Sequence, residues 1–321
     1  MSEGAPTTAA NHRDRLTWRV RALDRIYRLL ARTPLHFQHA LGSLIGTLGN
    51  WIPNRQRHVA RVNIQLCFPE HSLAERKRLV RQSLRESAKG LCEIATLWYR
   101  PTPEVRGLIR EVNGEAVFQQ ALAEDRGLLI IAPHLGCWEA LQVWVAQHAP
   151  SHALYRPPRQ RDLEPLINRG RSRSGMHFWP ASASGIRGLL AALKRGEIVG
   201  ILPDQEPPGE GVFAPFFGIP AKTMTLFGKF AARSRAAVIV GWAERLPRGT
   251  GYRLHFRRVT SAVDDPDQET AATALNAAIE TAVRGKPEQY QWSYRRFTRE
   301  RGGRGGRYKR WRTRGRWIEP T

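Results

Sequence analysis

Between residues 128 and 256 the chain alternates short apolar runs with stretches of helical periodicity, and this alternation limits the fold more than any other feature. The runs are LLIIA (128–132), ALYR (153–156), HFWP (177–180), IVGILP (198–203), AVIVGWA (237–243) and YRLHF (252–256). Helical candidates lie at 137–148, 160–173, 184–195, 223–235 and, beyond the last run, 267–284. Helices of this length between strands allow parallel neighbours, with each crossover covering one face of the sheet. The first runs are rich in Ile, Leu and Val without polar alternation, which suits strands buried on both faces. The expected class is α/β, with a mixed, mainly parallel central sheet flanked by helices.

Upstream of this region the pattern is helical only. The run SLAERKRLVRQSLRESAKGLCEIATLWY sets Leu73, Leu79, Leu84, Leu91, Ile94 and Leu97 at helical spacing with charges between them. Ser72, three residues before Glu75, offers a capping box at its start. Pro34 and Pro53 bracket eighteen residues without Asp, Glu, Lys or Arg. As a helix they would run about 27 Å, near the thickness of bilayer hydrocarbon. His36, Gln38, His39, Asn50 and three glycines dilute the segment. It reads as a membrane-associated helix, spanning or lying in the interface, with a buried core helix as the alternative. Basic residues flank both of its ends, so loop charge sets no orientation. Three regions follow: a basic amino-terminal segment with this helix (1–56), an α/β domain (57–298) and a basic tail (299–321).

The sequence carries 51 Lys+Arg against 28 Asp+Glu, a net charge of +23. That excess speaks for a polyanionic partner: nucleic acid, anionic lipid or a phosphorylated substrate. The tail RERGGRGGRYKRWRTRGRW holds nine Lys/Arg and one acid, with Tyr308, Trp311 and Trp317 interleaved. No apolar face can be drawn through it, so it reads as disordered when free. Lipid contact is favoured for it, over a solvated end or nucleic-acid binding of the RGG type. Cys67, Cys92 and Cys137 form no CxxC pair and read as buried, reduced thiols. The Arg-rich first 34 residues lack the apolar core of a cleavable signal peptide.

The residues with the clearest chemical meaning stand where LLIIA meets the next helix, in LLIIAPHLGCWEALQ. His134 and Glu139 are five positions apart, which on one continuous helix puts them about 140° from each other. They can meet only if His134 sits in the turn and Glu139 in the first helical turn, a break that Pro133 and Gly136 favour. The carboxyl end of a strand is also where open α/β sheets place their ligands. In that geometry Glu139 accepts the imidazole N–H and leaves the other nitrogen free to take a proton from a hydroxyl. By pattern alone, one His and one Glu at such a turn are more often a structural hydrogen bond than a catalytic pair. HxxxxE is not HExxH, and no second His lies at ligand spacing, so neither metal nor cofactor is called for.

His134-Leu-Gly-Cys-Trp-Glu139 resembles the His-four-residues-acid motif of glycerolipid acyltransferases. Further segments, in order, resemble the late acyltransferases of lipid A biosynthesis: Tyr155-Arg156-Pro157, Gly170-Arg171-Ser172-Arg173, Pro203-Asp204-Gln205, the run from Gly211 to Gly218 with Pro220-Ala221 and Thr223, and PEQYQWSYRRF at 287–297. The likeness spans about residues 20–297. It implies a chain at the cytoplasmic face of the inner membrane that moves a fatty acyl group from acyl–acyl carrier protein to a hydroxyl of an anionic, phosphorylated lipid. It also implies His134 as base and Glu139 as its partner. Arg171 is the first candidate for charge stabilisation or phosphate clamping, with Arg156 and Arg173 behind it, because a guanidinium binds phosphate through two parallel bonds. Asp204 is expected to organise a loop beside the substrate. A nucleic-acid-binding role is disfavoured, since an anionic surface and a phosphorylated substrate account for the charge.

Overall fold

The computed structural model describes residues 17–158, 160–304 and 306–309. Arg13, Arg15, Trp311 and Trp317 lie outside them. Four helices come first: α1 (Trp18–Leu30), α2 (Leu35–Trp51), α3 (Arg55–Cys67) and α4 (Leu73–Tyr99). Ser72 and Glu75 cap α4 reciprocally, Glu75 Oε2 accepting from the Ser72 amide at 2.8 Å and Ser72 Oγ accepting from the Glu75 amide at 3.3 Å. Then follow α5 (Thr102–Arg106), β1 (Ile109–Asn113), α6 (Glu115–Ala123), β2 (Leu128–Ile131), α7 (Trp138–Val145), β3 (Ser151–Tyr155), α8 (Glu164–Ser172), β4 (His177–Pro180), α9 (Ala183–Lys194) and β5 (Ile198–Ile201). The chain continues through β6 (Val212–Phe216), β7 (Ile219–Thr223), α10 (Leu226–Ser234), β8 (Ala237–Arg245), β9 (Tyr252–Arg258) and α11 (Gln268–Gly285), and closes with β10 (Arg299–Glu300) and β11 (Gly303–Arg304).

The central sheet has the order β1-β9-β8-β2-β5-β3-β4. Strands β8, β2, β5, β3 and β4 run parallel, β9 runs antiparallel to β8, and β1 runs parallel to β9. All four residues of β2 are buried, as are all nine of β8, so the non-alternating apolar runs do mark strands covered on both sides. Two apolar clusters account for this. One joins β2, β5 and β8 to α3, α4, α9, α10 and α11; the other joins the same sheet to α6, α7 and α8. The fold is mixed α/β with a mainly parallel sheet. Six expected runs became six of its seven strands. The hairpin β6–β7 stands apart as a two-stranded sheet, turning at Phe217 and Gly218, both at positive φ (51° and 72°).

No helix among the described residues is long and apolar enough to cross a membrane, which removes the spanning option for the segment between Pro34 and Pro53. That segment forms α2, packed on α4 with two of its polar residues inward. Gln38 and His39 are buried, and Gln38 donates to the carbonyls of Leu30 and Thr33 and accepts from Thr96 Oγ1. A Cβ on Gly42 or Gly46 would stand 2.6 and 2.5 Å from α4 backbone atoms, so glycine is what allows the two helices to touch. Most large apolar residues of α2 face outward instead: Leu35 is buried, but Phe37, Leu44, Ile45, Leu48 and Trp51 are exposed, Trp51 at 80%. Trp18, Ile26 and Leu29 of α1, Ile52, and Leu91 of α4 are exposed too.

The start of the basic tail packs on the domain, through the β10–β11 pair, ion pairs of Arg299 and Arg301 with Glu206 and Glu269, and the Tyr308 side chain. Tyr308 is buried against α3, its hydroxyl donating to Asn63 Oδ1 at 2.7 Å and accepting from the Phe297 amide at 3.0 Å. The expectation that no tail residue packs therefore fails at Tyr308, because an aromatic ring with a satisfied hydroxyl can be buried singly without an amphipathic run.

Candidate active site at the carboxyl ends of the central strands

Strands β2 and β5 are parallel neighbours in the register Leu128↔Ile198 through Ile131↔Ile201. Counting three residues past each last pair reaches His134 on one strand and Asp204 on the other. The sheet itself thus sets an imidazole beside a carboxylate. His134 Nδ1 lies 2.8 Å from Asp204 Oδ1, and the His134 amide donates to Oδ2 at 3.0 Å. Asp204 is 2% exposed. Burial works to raise its carboxyl, but the charge and hydrogen bonds of His134 outweigh that and hold it below its ordinary value of 3.8. The carboxylate on the imidazole is therefore Asp204, not Glu139, which corrects the pairing expected from the motif.

The second ring nitrogen faces another group. Gln205 Nε2 lies 3.2 Å from His134 Nε2 and 3.0 Å from Gln291 Oε1. The arrangement is self-consistent when Nδ1 carries the proton toward Asp204, Nε2 presents its lone pair, and the Gln205 amide donates to both Nε2 and Gln291. Trp138 packs edge-on against the imidazole at 5.1 Å between ring centroids.

The turn between His134 and α7 is pinned on all sides. Gly136 donates to the Gln289 carbonyl at 3.0 Å, Cys137 to the Ala243 carbonyl at 2.8 Å, and Gln291 to the His134 carbonyl at 3.0 Å. Gly136 sits at φ 62°, and a Cβ there would stand 1.9 Å from the Ala243 carbonyl oxygen. Only glycine lets the turn lie this close to β8.

Glu139 does fall in the first turn of α7, as expected, but its partners are elsewhere. Oε1 accepts from Arg171 Nε at 2.9 Å and stands 2.9 Å from the Arg171 terminal nitrogen; Oε2 accepts from Trp98 Nε1 at 3.3 Å. Arg171 ends α8. It reaches Glu139 because Gly170 lies against the Trp98 indole, where a Cβ would come within 2.3 Å of the ring. The Arg171 guanidinium also faces the Tyr155 and Phe178 rings.

His134, Trp138, Glu139 and Arg171 line one cavity of about 250 Å³, together with Leu91, Ile94, Leu97 and Trp98 of α4 and Ile167 of α8. One wall is apolar and one end carries the charges. Beyond Trp138 a smaller apolar pocket runs under α7 between Ile130, Leu141, Val145, Met176 and Leu202. Arg156 is exposed just past β3, and Arg173, also exposed, donates to the Arg100 carbonyl at 3.1 Å. Neither is among the residues lining the larger cavity. Trp98, Gln205, Gln291 and Arg245 reach the site from distant segments; the sequence reading gave none of them a role, although Gln205 and Gln291 fall within the segments of resemblance.

A histidine bonded to a buried carboxylate, beside a cavity with one apolar wall and a charged end where Arg171 and Arg245 stand with Glu86, Glu93 and Glu139, can serve acyl transfer to a lipid. The comparisons agree. Residues 11–299 match the family model described as bacterial lipid A biosynthesis acyltransferase, and the chain belongs to that family; it is an O-acyltransferase. Among its relatives, the lipid A biosynthesis palmitoleoyltransferase of Escherichia coli (strain K12) is 32% identical over 80% of this chain and 83% of its own length. The lauroyltransferase of the same organism is 29% identical over 87% and 91%, and its myristoyltransferase 24% identical over 88% and 87%.

Proposed function

We propose that this enzyme transfers a fatty acyl group from acyl–acyl carrier protein to a hydroxyl of a phosphorylated lipid A precursor, with His134 as general base and Asp204 as the group that orients it. The observation that carries this reading is the 2.8 Å contact of His134 Nδ1 with buried Asp204, which leaves Nε2, 3.2 Å from the Gln205 amide nitrogen, as the free nitrogen of a residue that lines the cavity. The acceptor hydroxyl displaces the Gln205 amide and donates to Nε2. As its oxygen attacks the thioester carbon, Nε2 takes the proton and a tetrahedral oxyanion forms. Collapse of that intermediate breaks the carbon–sulfur bond, and the departing thiolate recovers the proton from the imidazolium. A base placed this way is worth about 10²–10⁴-fold. The amino end of α7, which begins at Trp138 in the cavity wall, offers partial positive charge to the oxyanion.

Arg171 supplies the fixed positive charge for the anionic acceptor, and Glu139 holds that guanidinium in place rather than acting on His134. The apolar wall formed by α4 and the pocket beyond Trp138 suit hydrocarbon. The outward apolar residues of α1 and α2, with Arg19, Arg21, Arg25 and Arg28 among them, suit a helix pair lying in the interface of an anionic membrane. Mass spectrometry of lipid A precursor incubated with acyl donor and either wild type or His134→Ala tests the assignment. Loss of the added acyl mass in a variant that keeps its far-UV spectrum is expected, and full transfer by that variant would overturn it.

A further inference from the structure

A second group of charges lies under the catalytic turn, largely buried where it borders the same cavity. Glu93 of α4 is 1% exposed, and its carboxylate is surrounded. Arg245, at the end of β8, donates Nε at 2.9 Å and a terminal nitrogen at 2.7 Å to Oε1. Tyr252 of β9 donates its hydroxyl to Oε2 at 3.1 Å, and His39 Nε2 of α2 stands 2.9 Å from the same oxygen. Three elements thus converge on a carboxylate carried by a fourth. The same terminal nitrogen of Arg245 also donates to the carbonyl of Gly136 at 3.0 Å. Around it, Gln289 brackets the Arg245 backbone, accepting from its amide at 2.8 Å and donating to its carbonyl at 2.9 Å.

Gly136 is the centre of the turn that carries His134 on one side and the start of α7 on the other. Its amide is held by backbone from Gln289, but its carbonyl is held by a side chain, Arg245. Gly90 of α4 leaves the space for this, since a Cβ there would stand 3.0 Å from the guanidinium. Stability alone is a poor reason for such a pair: buried ion pairs exchanged for apolar residues of similar volume are often neutral or stabilising. What an apolar pair cannot do is hold a carbonyl oxygen in a fixed direction.

The geometry points to Arg245, locked by Glu93, as a positioning residue for acyl transfer that fixes the peptide plane of Gly136 and so the angle between His134 and the amino end of α7. This rests on His134 being the base.

The test removes the Glu93–Arg245 pair and keeps the volume, in Glu93→Leu/Arg245→Met; Glu86, 3.7 Å from Arg245, keeps its partner Lys89. The double variant should fold with an unchanged or higher melting temperature. Its kcat should fall by about 10²-fold, the cost of a misplacement near 1 Å, while KM for donor and acceptor stays near wild type. Amide hydrogen exchange at Gly136 and Cys137 should accelerate, and the His134 ring nitrogen signals should shift. A folded double variant with wild-type kcat and unchanged exchange would overturn the proposal, leaving the pair as packing. Should the double variant not fold, Arg245→Lys decides: it keeps a charge for Glu93 but lacks the fork that reaches Gly136. A kcat loss with KM unchanged supports the role, and full kcat rejects it. The exchange measurement needs no turnover, so an inactive wild type would defeat the acyl-transfer reading while the amide signals still decide the positioning.

Discussion

Replacing Asp204 by Asn keeps the shape of the site and changes one proton. In the native protein the Asp204 carboxylate accepts from both the His134 amide (3.0 Å) and Nδ1 (2.8 Å). An Asn oxygen can still accept from the amide, but its NH₂ then faces Nδ1 and demands a lone pair there. The ring proton moves to Nε2, and the nitrogen that should accept from the hydroxyl becomes a donor. Loss of a buried hydrogen bond to a charged partner costs about 1.5–3 kcal/mol, which alone slows the step roughly 10–150-fold. Loss of the base function adds to this up to the full 10²–10⁴-fold that a positioned base supplies. The tautomer argument is the one established for Ser-His-Asp triads, where the same exchange costs about 10⁴-fold. Asp204→Asn should therefore lower kcat by about 10³-fold with KM nearly constant, since no substrate contact is removed. Initial rates with an acyl thioester and a lipid A precursor measure both constants. The parallel variant is Glu139→Gln. If it abolishes kcat with KM unchanged while Asp204→Asn is within a few-fold of wild type, the motif pairing of His134 with Glu139 was right and the assignment from the sheet register is refuted.

Two further outcomes follow from the other charges. Arg171→Lys keeps a cation but loses the fork on Glu139 (2.9 Å), so KM for the phosphorylated acceptor should rise by about 10-fold or more, with a smaller change in kcat; an effect on kcat alone would remove Arg171 from acceptor binding. Acid should unfold the protein through Glu93. Burial would raise that carboxyl, yet Arg245 and His39 hold it at about 2, against an ordinary 4.5. A depressed carboxylate contributes stability that is complete above its unfolded value and is lost as pH falls toward its folded one. About 3 kcal/mol should accordingly vanish between pH 4.5 and 2. Urea midpoints followed over that range should fall steeply in wild type and more gently in Glu93→Leu/Arg245→Met; equal slopes would contradict the assignment.

What the sequence disclosed depended on how far its signals travel. The runs LLIIA and IVGILP are local, and both are strands. Strand β1 (IREVN) carries no such run, because it lies at the sheet edge with its residues partly or fully exposed, and it was missed. His134 and Glu139 were legible as a motif because they are close in the chain. The pairing was not legible, since the partner of His134 is fixed by the alignment of Ile131 with Ile201, seventy positions on. Nothing in the sequence near Asp204 reports that register. Proximity in sequence favoured the wrong carboxylate. Arg171 was found through resemblance, but its bond to Glu139 depends on Gly170 resting against Trp98, a contact between α8 and α4 that no spacing encodes.

The segment between Pro34 and Pro53 shows how a diluted signal can carry more information than a clean one. Its polar residues count against membrane insertion when hydropathy is averaged, yet in the structure two of them, Gln38 and His39, are buried. Gln38 closes the carbonyls left open at the end of α1, and His39 joins the Glu93 carboxylate beneath the catalytic turn. With Gln38, His39, Gly42 and Gly46 turned inward, the large apolar residues Phe37, Leu44, Ile45, Leu48 and Trp51 are left on the outside. In water that arrangement is costly, at roughly 25 cal/mol for each Å² of apolar surface left wet. It is reasonable for a protein whose outer face meets hydrocarbon. Gln38 and His39 of α2 are thus part of the scaffold of the site, and its exposed apolar residues suit the membrane contact proposed above.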